Sequence, residues 1–302
     1  MKNKIAKAVF CAALGNIFWG FSFLFVKQGL SVVSEPYILL SHRFILALFV
    51  TSLLMIFGKC KISLKGKNFL PILLLQVLQL LYFLFESYGL LYTNATISGL
   101  CLSVVPVVSI ATGALFLKEY PSLRQALFCL LPVAGVAFIT VSGKELGVMT
   151  LLGGIFLALT VLASALYKTA NRWACSEFSS YERTFFVMLS AAITFTVVGL
   201  KTSNWDLAAY AAPLTNPKYL ISVLFLATLC SFGANMLVNF ASSKMSVFKV
   251  SAFGSLSTLC SGVAGVLILG EPVSIGLILG GILIIVGVRE ITKPKKEKTN
   301  DV

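Results

Sequence analysis

Acidic side chains are scarce in this chain. Its 302 residues hold 11 aspartates and glutamates against 24 lysines and arginines, and a single histidine. Charged residues amount to 12%, about half the share found in a soluble domain. One histidine and no cluster of carboxylates leave little for general acid–base chemistry, which disfavours an enzyme. The seven cysteines show no CxxC or other metal-ligand spacing, so neither a metal nor a cofactor is expected. Cys11, Cys101, Cys129, Cys230 and Cys260 sit in apolar runs and read as small packing residues. A phosphate-binding loop is missing too: Gly143-Lys144 has Phe138 where the first glycine belongs and Glu145 where Ser or Thr belongs. Period-2 alternation is absent, which argues against a membrane β-barrel. The apolar run after Lys2, Lys4 and Lys7 continues to about Leu30 without an A-x-A site, so it is expected to remain as a span.

Long apolar stretches are what the chain does have. Hydrophobic residues make up 58%, and the runs reach the roughly 20 residues that a helix needs to cross a bilayer. Ten spans joined by short loops are expected, at 7–30, 37–57, 69–91, 95–117, 123–142, 148–170, 182–200, 218–241, 247–269 and 273–289. Pro36, Pro121, Pro217 and Pro272 lie at or just before helix starts, where a missing N–H costs little. Pro106 and Pro132 lie inside spans and should kink them. Gly276 and Gly280 form a small-xxx-small pair suited to close packing in span ten. The net charge of +13 reflects basic residues kept on one side of a membrane, not a nucleic-acid surface. Nineteen of the 24, with Lys65, Lys168, Arg172 and Arg183 among them, fall on the side of the termini; Lys27, Arg43, Lys144, Lys201 and Lys218 do not. Both termini are therefore expected in the cytoplasm, with the chain in the cell membrane. Residues 293–302 read as a basic, disordered cytoplasmic tail.

The two halves repeat one another. At a constant offset of 152 residues, Ser103 falls on Ser255, Ser109 on Ser261 and Gly113 on Gly265. Leu117 then meets Leu269, Glu119 meets Glu271, Ser122 meets Ser274, and Gly135-Val136 meets Gly287-Val288. Residues 1–142 and 148–292 are thus read as two units of five spans, joined near Gly143–Gly147. An odd number of spans puts the second copy into the bilayer upside down, the arrangement of alternating-access transporters.

Further motifs occur in a fixed order: Trp19-Gly20 followed by Lys27, Arg43 early in span two, and Tyr88-Gly89-Leu90-Leu91-Tyr92-Thr93-Asn94-Ala95 joining spans three and four. Pro106 and the endings at Glu119 and Glu271 complete the set. On these, from about Val9 to Val288, the chain resembles the ten-helix EamA-type transporters of the drug/metabolite transporter superfamily. Thr258 stands where a proline matching Pro106 would be, and Ser164-Ala165 where Trp-Gly or Trp-Ala is common, so the halves are expected to be unequal. The resemblance implies an all-α integral membrane protein with ten helices in two inverted repeats. It implies a central cavity lined by spans one to four and six to nine, with spans five and ten packed behind. It also implies a small-molecule substrate, such as an amino acid, nucleobase, other metabolite or drug, often moved outward.

Glu86 is the most unusual residue, about five residues or roughly 8 Å from the outer end of span three. Ionisable groups at such depth are costly and usually face a cavity or a partner. Gln76, Gln79 and Glu86 fall within an arc of about 80° at ~100° per residue. Arg43 lies at matching depth in span two, which makes an ion pair feasible. The pair is a fixed strut, a working group in which Glu86 takes a proton or a cationic group, or a set of charges snorkelling on the lipid side. Asn235 and Asn239, one turn apart in span eight, supply neutral hydrogen bonds, to other helices or to a ligand. Trp19, Tyr82, Tyr88 and Tyr167 offer flat area to a ligand or sit at the membrane interface. His42 reads as a packing or hydrogen-bonding residue, Lys27 as an interface anchor or an anion contact, and Glu119 and Glu271 as helix-start residues.

The resulting expectation is a secondary active transporter of an amino acid or related metabolite, export favoured over uptake, with protons as the candidate coupling ion. The lipid bilayer is its other partner, nucleic acid is not, and a single chain suffices. The rivals are a non-transporting sensor or assembly factor and, last, a membrane enzyme.

Overall fold

Ten helical crossings follow the apolar runs in the computed structural model, which describes residues 2–33, 35–57, 61–63, 65–93, 95–143, 150–269 and 273–293. Asn94, Lys144, Glu271, Pro272 and the tail after Lys293 lie outside the described residues. The first three spans are α1 (Lys2–Leu30), α2 (Pro36–Ile56) and α3 (Leu70–Leu91). Span four is α4 (Ala95–Leu102) with α5 (Val105–Leu117), and span five is α6 (Leu123–Phe128) with α7 (Leu130–Gly143). Spans six and seven are α8 (Leu151–Trp173) and α9 (Ser180–Thr202); a short α10 (Leu207–Ala211) follows. Span eight runs through α11 (Pro217–Phe225), a π-helical stretch (Leu226–Ala234) and α12 (Asn235–Ser242). Span nine is α13 (Val247–Ala252) with α14 (Gly254–Leu269), and span ten is α15 (Ile275–Thr292). Nine crossings reach 18 residues with mean hydropathy between 1.6 and 2.3 among the described residues. The tenth, α3, has 22 residues but a shorter apolar run, Leu70–Glu86, that ends at the buried-depth carboxylate.

Polar caps set the ends. Ser122 and Ser274, matched by the repeat, are both N-caps: their hydroxyl oxygens accept from the N–H of Gln125 at 3.3 Å and of Leu277 at 3.1 Å. Gln125 answers by accepting from the Ser122 N–H, which completes a capping box. Spans four and five break after Leu102 and Phe128, four residues before Pro106 and Pro132. A proline ring displaces the carbonyl four residues back, so both kinks fall where the sequence places them. Span nine breaks at Phe253 without a proline. The connection between spans seven and eight carries a helix of its own: Asp206 caps α10 by accepting from Ala208 and Ala209, and this helix lays Tyr210 against span two.

Counterpart spans lie against each other and run antiparallel. In spans two and seven, Ser41 meets Thr196 at 3.0 Å while the Tyr181 hydroxyl donates to the Thr51 carbonyl at 2.6 Å. The start of each helix therefore touches the end of the other. In spans five and ten, Gln125 Nε2 donates to the Ile291 carbonyl at 3.2 Å, and Gly135 faces Gly280 further along. Span three packs on six as eight packs on one, and span four on six as nine on one. These main pairings are kept when each span is exchanged for its counterpart, as two inverted five-span repeats require.

Small residues bring the backbones together. A Cβ on Gly20 would sit 2.5 Å from that of Cys260, so the Trp19-Gly20 step seats span one on span nine. At the matching step in span six, Ala165 is fully buried with Val105 of span four. The small member of the motif survives there although the tryptophan does not. Interhelical hydrogen bonds in membranes average about 0.6 kcal/mol, so this close packing does most of the holding. Leu115, Leu151, Leu267 and Ile275 are each at least 75% exposed, on surfaces suited to lipid.

Candidate functional site

Both ends of the described chain lie on one face, here the terminal face. Nearer the opposite face, Glu86 accepts a 2.8 Å hydrogen bond from the Tyr82 hydroxyl, one turn earlier on α3. Arg43 does not close a contact ion pair with it. Its Nε donates instead to Ser231 Oγ at 2.6 Å, and it acts on Glu86 only across a longer gap. Each charge is held by a hydroxyl of closer reach, and both residues are half-buried. The π-helical stretch makes this possible. Its wider turn leaves the Cys230 carbonyl to accept from Trp19 Nε1 at 3.0 Å and the Ser231 carbonyl to accept from Asn235 Nδ2 at 2.7 Å. One turn of backbone thus holds Trp19, Arg43 and Asn235.

Next to it lies a cavity of about 30 Å³ lined by Asn16, Trp19, Tyr167, Lys168, Asn171, Asn235, Asn239 and Ser242, with Val238, Val250 and Gly254. Ligand sites usually measure about 300 Å³ or more, so the cavity is contracted here and has room for little beyond water. Its floor is tied down by Arg183, which is fully buried. The guanidinium donates to the Asn171 carbonyl at 3.0 Å, to Asn171 Oδ1 at 2.5 Å and to the Asn239 carbonyl at 2.7 Å. Asn171 Nδ2 donates to Asn239 Oδ1 at 2.9 Å, and Asn239 Nδ2 donates to Thr184 at 2.8 Å.

Beyond the floor, the terminal face is closed by ion pairs. Arg172 bonds Glu119 at 2.9 Å and donates to the Ser242 carbonyl at 2.9 Å. Glu119, expected to start the helix that follows it, instead accepts from the Val247 N–H at 2.8 Å and caps α13 in the other repeat. The helix after Glu119 needs no second cap because Ser122 and Gln125 already supply one. Lys67 pairs with Glu182 at 2.7 Å, and Glu290 pairs with Arg124 and Lys293. All four contact ion pairs among the described residues are at this face. The opposite side is joined by neutral groups: His42 Nδ1 and the Tyr219 hydroxyl at 2.8 Å, Ser41 and the Tyr210 hydroxyl, and the stacked rings of Phe25 and Phe225 at 3.8 Å.

Of the residues singled out in the sequence, Trp19, Tyr167, Asn235 and Asn239 together line this cavity. Glu86, Tyr82 and Arg43 form the separate group near the opposite face. Gln79 is buried with Oε1 unpartnered, outside the cavity wall, and Lys27 is exposed. His42 serves as a hydrogen-bonding residue, as expected. Asn16, Lys168 and Asn171 are additions. Ending span six at residue 170 put Lys168 at the membrane edge and Asn171 in a loop, but α8 continues to Trp173 and holds both inside. A polar stripe, Ser164, Lys168 and Asn171 at helical spacing, was the available signal. Arg183 was expected at the very start of span seven, among the basic residues of the terminal side, and is fully buried instead. Among the described residues no three of His, Cys, Asp or Glu come together as a metal site.

Similarity to other proteins agrees with this architecture. A transporter of Bacillus subtilis (strain 168), called uncharacterized transporter YcxC, is 32% identical over 99% of this chain and 97% of its own. An uncharacterized transporter of Archaeoglobus fulgidus is 26% identical over 91% of this chain and 94% of its own. A protein known from a crystal structure shares the fold with a TM-score of 0.78 at 14% identity, over 94% of this chain and 96% of that one. The EamA-like transporter family matches twice, over residues 6–141 and again over 151–292, on the two halves that the serine, glycine and glutamate repeats mark out. With ten membrane-crossing helices, paired counterpart spans and a polar cavity between the halves, this chain belongs to the EamA-like transporter family.

Proposed function

We propose that the protein is a secondary active transporter that moves a small organic metabolite by alternating access, with 1–142 and 148–292 rocking about the central cavity. The carrying observation is a contracted polar cavity whose wall takes Asn16 and Trp19 from one half and the remainder from the other. Opening it toward the terminal face means parting Glu119 from Arg172 and Val247, a junction that crosses between the halves. An amino acid or related compound is the favoured substrate, and export the favoured direction. Purified protein in proteoliposomes should show saturable counterflow of such a compound; folded protein without counterflow of any amino acid or related metabolite rejects the reading.

Protons are the coupling ion in this proposal, and Glu86 carries them. Glu86→Gln keeps an oxygen for the Tyr82 hydroxyl but cannot titrate. It should abolish transport driven by a pH gradient and retain substrate exchange. Driven transport at the normal rate would remove Glu86 from the coupling.

The terminal face is cytoplasmic in the same proposal, from the asymmetry of basic residues. Lys65 and Asn204 lie exposed on the two sides. With single cysteines at these positions on a cysteine-free background, a membrane-impermeant thiol reagent on intact cells should label position 204 and spare 65. The reverse pattern inverts the orientation.

A further inference from the structure

We propose that Lys168 is the anion anchor of the cavity: its ammonium group binds the carboxylate of the transported molecule, which makes the substrate a small carboxylic acid. The inference rests on the transport reading above and adds the substrate's charge to it. Lys168 lies five residues inside the end of α8 and faces the cavity. Its Nζ lies near Gly254, 3.9 Å from where a Cβ there would stand, in space that a side chain would fill. Among the described residues no carboxylate lies within 4.0 Å of it, and it makes no hydrogen bond. A cation in a membrane interior is costly and marks a substrate or ion path unless a partner neutralises it.

Its neighbours do not neutralise it. Arg172 takes up the one nearby acid, Glu119. Arg183, also cationic, is bonded by amide, carbonyl and hydroxyl oxygens, with no carboxylate among these partners. Where this end of α8 meets α9, the two carboxylates that form ion pairs are already taken, Glu119 by Arg172 and Glu182 by Lys67, and the charge that reaches the cavity without a carboxylate is that of Lys168. The amides facing it complete the selectivity. Asn16 and Asn235 each spend one amide N–H on their own span, on the Ala12 and Ser231 carbonyls at 2.7 Å, which leaves each of them one N–H donor and the amide oxygen as acceptor. A carboxylate on Lys168 with an amino or hydroxyl group beside it satisfies both kinds of wall.

The test is ligand-induced thermal stabilisation of the purified full chain, separate from any transport assay. The probes are the common L-amino acids and matching 2-hydroxy acids, each beside its primary carboxamide. At least one acid should stabilise the protein, and its carboxamide should need at least about tenfold more for the same shift. Lys168→Gln should weaken the acid about 30-fold or more, as when one partner of a buried charge pair is removed. Lys168→Arg, which keeps the charge, should stay within about fivefold and guards against a mere folding defect. No stabilisation by any acid, equal binding of acid and carboxamide, or unchanged binding in a folded Lys168→Gln overturns the proposal. Lys168-dependent binding without counterflow of the same acid would instead reject transport and leave the anchor standing. Counterflow of a neutral or cationic compound, indifferent to Lys168→Gln, would do the opposite.

Discussion

Arg183→Met should yield little folded protein. The guanidinium is the largest fully buried side chain, and it is the donor for two backbone carbonyls, at Asn171 and Asn239, and for the Asn171 side chain. Methionine fills much of the volume but offers no N–H. A buried acceptor left without a donor costs about 1–3 kcal/mol, and breaking a network of this kind about 3–5 kcal/mol in total. The damage would spread because Asn171 and Asn239 bond each other and Thr184, so three spans lose their common tie. Arg183→Lys, which restores the charge but one point donor in place of a planar fork, should recover only part of the stability. Monodisperse yield in detergent and the unfolding midpoint measure both. Full yield and an unchanged midpoint in Arg183→Met would show that the buried charge holds nothing.

A single methyl group on span ten should cost almost as much. A Cβ at Gly280 would run into the Gly135 carbonyl and come to 2.6 Å from Ile139 Cγ1, and one at Gly135 would come to 2.5 Å from the Gly280 carbonyl. These obstacles include backbone, which cannot rotate aside, so Gly280→Ala should destabilise by about 1–3 kcal/mol. Gly280→Leu should force spans five and ten apart and abolish folded protein. Two other helical glycines are internal controls. At Gly281 the obstacle at 2.9 Å is the tip of Leu259, which can turn away, and at Gly99 nothing lies within 4 Å. Gly281→Ala should therefore cost less than Gly280→Ala, and Gly99→Ala next to nothing. Thermal midpoints of the three alanine variants in that order confirm the packing; equal midpoints refute it.

Much of the architecture was legible because its signals are local or repeated. Pro106 and Pro132 break their spans four residues back, and the matched Ser122 and Ser274 start theirs, each for a reason contained in a few residues. The pairing of polar groups was not, because it depends on distances between helices that no spacing encodes. Depth along α2 and α3 pointed to an ion pair between Arg43 and Glu86. The rotation of span eight, set by its π-helical stretch, gave Arg43 a serine in its place. The same limit hid Lys168. A basic residue two positions from an expected helix end reads as a membrane-edge charge, and only the three further residues of α8 and the packing around them show that it looks inward.

The two ends of the cavity are fastened with different materials. Ion pairs close the terminal face, whereas aromatic stacking and neutral hydrogen bonds join the helices on the other side. Charged contacts are screened by salt and become cheaper to bury on warming, while apolar contacts weaken in the cold. The balance between the two closures is therefore set partly by the medium. In the alternating-access cycle proposed above, salt and temperature would act as unequal hands on one hinge, and a preparation's buffer would help to choose the conformation in which it is caught.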